Sequence, residues 1–157
     1  MENISLNTIA DYFISLSNET QSLITNLKLQ KLVYYAQAWN LAINDKQLIS
    51  EDFEAWVHGP VIPSLYVQYK EFGWKPIVRE DLVEGSFKKI EDTLHDSTKK
   101  LLSDISDEYF GLNAFELERL THEEDPWKIT RGDLPEDAPS HKVIDKILMS
   151  EYYKQYV

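Results

Sequence analysis

Residues 54–61 read EAWVHGPV, and they follow the run LKLQKLVYY at residues 27–35. Tryptophan, glycine and proline are each uncommon residues. A Trp three places before a Gly-Pro step indicates a corner of defined backbone geometry rather than an ordinary stretch of helix. Proline fixes φ at about −65°, has no N–H to donate, and pushes Gly59 away from the α region. The chain must therefore leave one element at His58-Gly59 and enter another at once.

The composition predicts one compact intracellular domain over residues 1–157. With 43% apolar and 12% aromatic residues, a chain of this length can bury about two-thirds of its unfolded surface. The absence of cysteine excludes disulfides and thiolate chemistry. No leader pattern stands at the N-terminus, and no apolar run approaches the ~18 residues of a membrane span. We therefore expect a cytoplasmic protein that does not contact a membrane.

The charge is unevenly distributed. The formal net charge is −11, and residues 80–157 carry 19 of the 27 acidic side chains. Nucleic-acid binding requires basic residues gathered on one face, so we expect no nucleic-acid partner. A basic protein partner would be attracted, mainly through a faster association rate. The simpler alternative is that the acidic half supplies only solubility.

Apolar residues recur at helical spacing over most of the chain. Capping signals support several of the helices: Thr25-Asn26 before the second, Pro63 in a first turn, and Asn113 with Glu116 as a capping box. Residues 50–52 resemble a cap before 53–56, whereas residues 74–92 and 134–139 resemble loops. The predicted fold is mainly α, a single helical domain of about six or seven helices, with a short extended segment allowed near 75–90. The principal helices are predicted over residues 4–16, 27–43, 63–73, 96–111, 113–124 and 143–152.

Three polar residues form a narrow stripe on the second predicted helix. Lys28, Lys31 and Tyr35 lie at the edge of its broad apolar face. Lysines in this position commonly bury their stems and keep their ammonium groups in water. The alternative is that Lys28 or Lys31 pairs with Glu54 and links this helix to the corner.

The sequence gives little support for an enzyme. Glu54 and His58, spaced i to i+4, could form an acid–base pair on one helical face, although such a pair more often holds a corner in place. No nucleophile elbow or phosphate-binding glycine loop is present. We expect no catalytic activity, metal or cofactor, and a small enzyme using Glu54, His58 or His122 stays as an alternative. The four histidines match no zinc-site spacing: His58, His95, His122 and His141.

Three motifs stand out together: residues 26–39 (NLKLQKLVYYAQAW), 54–63 (EAWVHGPVIP) with Tyr66, and 120–127 (LTHEEDPW). On these motifs the chain resembles the Panacea domain family, helical domains described as phage-associated proteins and as antitoxin-like proteolysis adaptors. The motifs occur in the family's order, and the resemblance covers about residues 4–152. Residues 76–96 and 133–139 match nothing in the family pattern.

This resemblance implies an antitoxin, which is encoded beside a toxin and neutralises it, usually by direct binding. The family accompanies toxins of many unrelated kinds, so the fold does not name the partner. Some relatives instead deliver the bound toxin to a cytoplasmic protease, and this adaptor role is the first alternative. The resemblance places the partner-binding or motif residues at Lys28, Lys31, Tyr35, Glu54, Trp56, His58, Gly59, Pro60, Thr121, His122, Pro126 and Trp127.

Two of these residues have two physical interpretations. Trp56 and Trp127 each lie beside a proline-marked break, where helices are expected to meet. Exposed, they would be interface anchors of the kind that dominate binding energies. Buried, they would be core residues, and we expect this of at least one of them.

Overall fold

The fold is organised around one buried helix, α2 (Asn26–Asn44). The computed structural model describes residues 3–157. Fifteen of the nineteen residues of α2 are buried, and the Thr25 hydroxyl caps the helix by accepting a hydrogen bond from the Lys28 N–H. The helix is buried on most sides because five other helices and a β-hairpin pack around it.

Seven further α-helices complete the part of the chain that the structure describes. Helices α1, α3, α5, α6 and α8 pack against α2, α4 lies on α1, and α7 contacts α6 and α8. The buried apolar side chains form one continuous core from Leu6 to Tyr153. The prediction of a mainly helical fold is confirmed, although eight helices replace the six or seven expected. Their bounds are α1 (Leu6–Thr20), α3 (Pro63–Gln68), α4 (Ser86–Asp92), α5 (Asp96–Tyr109), α6 (Ala114–Glu123), α7 (Asp125–Arg131) and α8 (Lys146–Lys154), with a 3₁₀ turn at Lys70–Phe72.

The Trp-Gly-Pro corner is a β-hairpin, so the prediction of a helix near residues 53–58 is wrong. Strand β1 (Glu54–Trp56) pairs antiparallel with β2 (Gly59–Val61), and residues 57–58 form the turn. Gly59 has φ +104°, a conformation that other residues rarely adopt. Strands of three residues are too short to show a two-residue alternation of apolar side chains. Only the Gly-Pro step indicates that the backbone reverses direction.

Pro60 fits this hairpin because of its place in the register. It lies opposite Ala55, whose N–H points away from β2 and donates to the Lys142 carbonyl at 2.9 Å. Neighbouring residue pairs in an antiparallel ladder alternate between bonded and non-bonded positions. Pro60 occupies a non-bonded position, so its missing N–H removes no ladder hydrogen bond.

Three other boundaries differ from those expected. Residues 86–92 form α4 rather than loop, and no strand forms within residues 75–90, although the Ile77 N–H donates to the Ile24 carbonyl at 2.8 Å. Asp125-Pro126 begins the separate helix α7, since proline suits a first turn. Residues 143–145 precede α8, and Val143 bridges Glu54 at the outer edge of the hairpin.

Buried amide side chains of α2 fix the neighbouring loops. Gln30 Oε1 accepts the Ile62 N–H at 3.0 Å, immediately after the hairpin. Gln37 accepts the Leu48 N–H at 2.6 Å and donates to the Ile49 carbonyl at 2.9 Å. Buried backbone groups are costly when unpaired, so these contacts stabilise two segments that lack regular structure of their own.

Among residues 3–157, no helix combines the length and apolar character needed to cross a membrane.

Replacing Gly59 with alanine (Gly59→Ala) should lower the free energy of unfolding by about 2–4 kcal/mol, because backbone strain and overpacking each cost on the order of 1–3 kcal/mol. A Cβ at this position would lie 2.5 Å from Lys31 Cε and 2.8 Å from Thr121 Oγ1. Urea denaturation measures the loss. Gly85→Ala is the matched control, since Gly85 has φ +90° and nothing within 4 Å of its Cβ position. Equal losses in the two variants would show that close packing does not restrict Gly59.

Candidate functional site

The ammonium group of Lys31 is buried directly beneath the hairpin. Lys31 is 0% exposed, and its Nζ donates to the Pro60 carbonyl at 3.1 Å. Burial lowers the pKa of Lys31 to about 7, and the nearby Glu118 carboxylate partly opposes this shift. The expectation that the ammonium group is exposed to solvent is therefore wrong for Lys31, because the hairpin covers the edge of α2 where this side chain emerges.

Lys28 is also held by a backbone carbonyl. Its Nζ donates to the Phe110 carbonyl at 2.6 Å and lies 4.7 Å from the centre of the Phe110 ring. Burial lowers the pKa of Lys28, and the charge of Glu116 opposes the shift. Since both lysines bind carbonyl groups, the predicted ion pair between Glu54 and Lys28 or Lys31 is wrong.

Glu54 and His58 have separate partners rather than each other. Glu54 Oε1 accepts the Trp56 indole N–H at 2.9 Å and lies 3.1 Å from His141 Nδ1. His58 Nδ1 lies 2.7 Å from Glu118 Oε1 on α6. The predicted acid–base pair on one helical face is wrong because these residues flank a β-turn, where an i to i+4 spacing does not bring side chains together.

Trp127 supports the inner side of the hairpin. It is 4% exposed, and its indole N–H donates to the Trp56 carbonyl at 2.7 Å. The His122 ring stacks on the Trp127 ring, with centroids 3.9 Å apart and planes 14° apart. Arg131 lies 4.8 Å above the Trp127 ring and donates to the Ala55 carbonyl at 3.0 Å. The expectation that at least one of the two tryptophans is a core residue is confirmed for Trp127.

Tyr35 belongs to a buried tyrosine–carboxylate cluster. The hydroxyls of Tyr35 and Tyr153 each donate to Glu124 Oε1 at 2.7 Å, and the Tyr35 ring stacks on Tyr109 with centroids 4.0 Å apart. Burial raises the pKa of Glu124, while the two tyrosine hydrogen bonds lower it. This cluster ties α2 to α8 and α5, with its tyrosines buried and Glu124 half-buried.

The hairpin borders an open groove of about 240 Å³, here called the hairpin groove. Trp56 packs against Tyr66 with ring centroids 5.1 Å apart, and the His58 ring lies 5.6 Å from Trp74. Trp74 is 65% exposed, which is unusual for so large an apolar side chain. The groove is lined by Asn26, Leu27, Trp56, Val57, His58, Val61, Tyr66, Lys70, Gly73, Trp74, Pro139, Ser140 and His141.

Most of the predicted site residues therefore hold the groove in place rather than line it. Trp56 and His58 face the groove, and Glu54 binds the Trp56 ring from the side. Lys28, Tyr35 and Pro126 do not line it. Gly59 and Pro60 belong to the hairpin itself. The residues that pack beneath it are Lys31, Thr121, His122 and Trp127.

Several important residues were not predicted from the sequence. Trp74 and Tyr66 line the groove, Glu124 binds two tyrosines, and Arg131 binds the Ala55 carbonyl of β1. In the sequence, Tyr66 stands out only as part of a motif. Trp74 follows Gly73 in a polar connecting segment, where no helical or strand spacing of apolar residues indicates its role. Only its type, a lone tryptophan outside any apolar face, could have indicated a surface role.

No group of three His, Asp or Glu side chains within residues 3–157 is arranged to hold a metal ion.

The chain belongs to a known class of antitoxin-like helical domain. The family model "Antitoxin SocA-like, Panacea domain" matches residues 29–128, and the chain belongs to this family. Antitoxin SocA of Caulobacter vibrioides (strain NA1000 / CB15N) is 24% identical over 166 aligned residues, which cover 99% of this chain and 86% of that protein. No solved structure matches the chain. The resemblance seen in the sequence is thereby confirmed.

The stability of the protein should rise with pH above neutrality through Lys31. The pKa of this residue is about 7 in the folded protein and about 10.4 in an unfolded chain. Between these values the unfolded chain binds one more proton than the folded chain, so raising the pH favours folding by at most about 1.4 kcal/mol per pH unit.

The measurement compares the free energy of unfolding of the wild type and Lys31→Met at several pH values between about 7.5 and 9.5. The wild type should gain stability relative to the variant as the pH rises. Lys75→Met is the control, because the Lys75 side chain is exposed. A difference between wild type and Lys31→Met that is independent of pH would contradict a buried, titrating amine.

Proposed function

We propose that this protein is an antitoxin that neutralises a cognate toxin by direct binding, and that the toxin contacts the hairpin groove. Membership of the antitoxin SocA-like family supports the antitoxin role. The observation that supports the location is that the exposed Trp74 and the half-buried Trp56 and Tyr66 line the same apolar groove. Tryptophan and tyrosine at the centre of an interface contribute most of the energy in many complexes.

The groove is also preorganised for binding. One wall is a hairpin in which three backbone carbonyls accept hydrogen bonds from Lys31, Trp127 and Arg131. These donors lie on α2 and α7, two helices anchored in the core. A surface that is already ordered loses little conformational entropy when a partner binds.

The arrangement of the histidines favours binding over catalysis. His58 pairs with Glu118, and His141 lies against Glu54. His122 stacks on Trp127, its Nε2 is buried without a hydrogen-bond partner, and burial lowers its pKa. A general base must reach the proton that it abstracts, and His122 is enclosed by the residues that support the hairpin.

The net charge of −11 supports a basic toxin as the partner. A negative potential accelerates the encounter with a positively charged protein and contributes less to final affinity. The toxin gene is expected beside the gene for this protein, and the complex is expected in the cytoplasm.

Replacing Trp74 with alanine (Trp74→Ala) should weaken binding of the toxin about 30-fold or more, which corresponds to loss of a ~2 kcal/mol anchor. The fold should be unaffected, because the side chain is 65% exposed. Affinity is measured by calorimetry with the product of the adjacent toxin gene, and growth rescue is measured in cells that express both proteins.

Phe115→Ala is the matched control, since Phe115 is an aromatic residue 70% exposed on α6 and lies outside the groove. Unchanged affinity in Trp74→Ala, or an equal loss in Phe115→Ala, would contradict the assignment of the groove. Rescue of growth without a stable complex, together with a shortened toxin half-life, would instead support the adaptor role with a cytoplasmic protease.

A further inference from the structure

The hairpin groove is lined without any Asp or Glu side chain, although the chain carries 27 of them. Three basic residues line it instead. Two have a carboxylate neighbour outside the lining: His58 lies 2.7 Å from Glu118, and His141 lies 3.1 Å from Glu54. The third, Lys70, makes no ion pair with any residue in the range 3–157.

The charge of Lys70 is not cancelled by the acidic residue beside it in sequence. Lys70 and Glu71 both lie in the 3₁₀ turn, but Glu71 lines a different depression, together with Asn7 and Arg79. The first turn of α2 borders the hairpin groove and contains no acidic residue. The positive end of a helix dipole adds to the preference for an anion, although the free Lys70 is the main observation.

The walls of the groove select a large apolar group. Trp56, Tyr66 and Trp74 present ring faces and edges, and Val61 contributes an aliphatic surface. The volume of about 240 Å³ lies below the ~300–1,000 Å³ of sites for whole drug-sized ligands. This volume suits one large side chain and part of its neighbour from a polypeptide segment.

We propose that the hairpin groove binds a segment of the toxin in which a large apolar side chain, best an aromatic one, stands beside a carboxylate. The apolar side chain inserts between Trp56 and Trp74, and the carboxylate contacts the ammonium group of Lys70. This proposal rests on the proposed function, because it names the part of the toxin that the groove recognises.

The acidic surface of the rest of the protein does not oppose this contact. At physiological ionic strength, charges farther apart than about 8 Å are largely screened. The distant acidic residues therefore influence the approach of a basic toxin, whereas Lys70 acts on the group that is finally bound. The toxin would carry an overall positive charge and one acidic docking segment.

The test uses three capped tetrapeptides and the full-length protein labelled with ¹⁵N. The probes are acetyl-Gly-Trp-Glu-Gly-amide and its counterparts with Gln or Lys in place of Glu. The indole N–H signals of the protein's own tryptophans report binding by NMR. Signals of Trp56 and Trp74 should shift with the Glu peptide, whereas the signal of Trp39, bound to Tyr109 on another surface, should not.

The Glu peptide should bind about two- to fivefold more tightly than the Gln peptide, since an exposed ion pair contributes little, and the Lys peptide should bind most weakly. Lys70→Gln should abolish the preference for Glu, and the control Lys75→Gln, at an exposed neighbouring lysine, should keep it. Added salt should reduce the preference. Equal binding of the Glu and Gln peptides, a preference that persists in Lys70→Gln, or no shift of Trp56 and Trp74 at millimolar peptide would overturn the proposal.

These outcomes are distinguishable from failure of the proposed function. If the peptides show no preference but Trp74→Ala still loses the toxin, the groove binds toxin and the acidic-segment proposal is wrong. If the peptides bind as expected but Trp74→Ala retains the toxin, the groove has the stated chemistry and the toxin binds elsewhere.

Discussion

The shape of the hairpin groove depends on the hydrogen bond between the buried ammonium group of Lys31 and the Pro60 carbonyl. Burial disfavours the charged form of an amine, and it lowers the pKa of Lys31 to about 7. The hairpin approaches α2 closely enough to cover this side chain only because residue 59 is glycine. The burial of Lys31 therefore depends on the glycine at position 59, and the carbonyl of the next residue binds the buried amine.

Side chains from other positions on the helices also hold the hairpin backbone in place. Trp127 and Arg131 bind carbonyls of β1, and Gln30 binds the first backbone N–H after β2. Each of these side chains comes from a helix, so the hairpin keeps its position although it has only two short strands. Two-stranded hairpins are marginal in isolation. The protein therefore presents a β-turn and its flanking aromatic residues from a rigid helical base.

Local signals predicted the long helices well and the hairpin poorly. The Thr25 cap and the Asn113–Glu116 capping box act through residues three apart, and both were confirmed. The burial of Lys31 could not be predicted, because a helical wheel places this residue at the edge of a face and only the distant hairpin covers it. The groove partner Trp74 gave no periodic signal.

The central claim is that the rigid hairpin groove is the surface that meets the toxin. Hydrogen–deuterium exchange of the full-length protein, alone and with the toxin bound, tests this claim directly. The account predicts slower exchange in the complex at residues 56–61, 66–74 and 139–141. Slower exchange confined to α5 and α8, with these three segments unchanged, would contradict it.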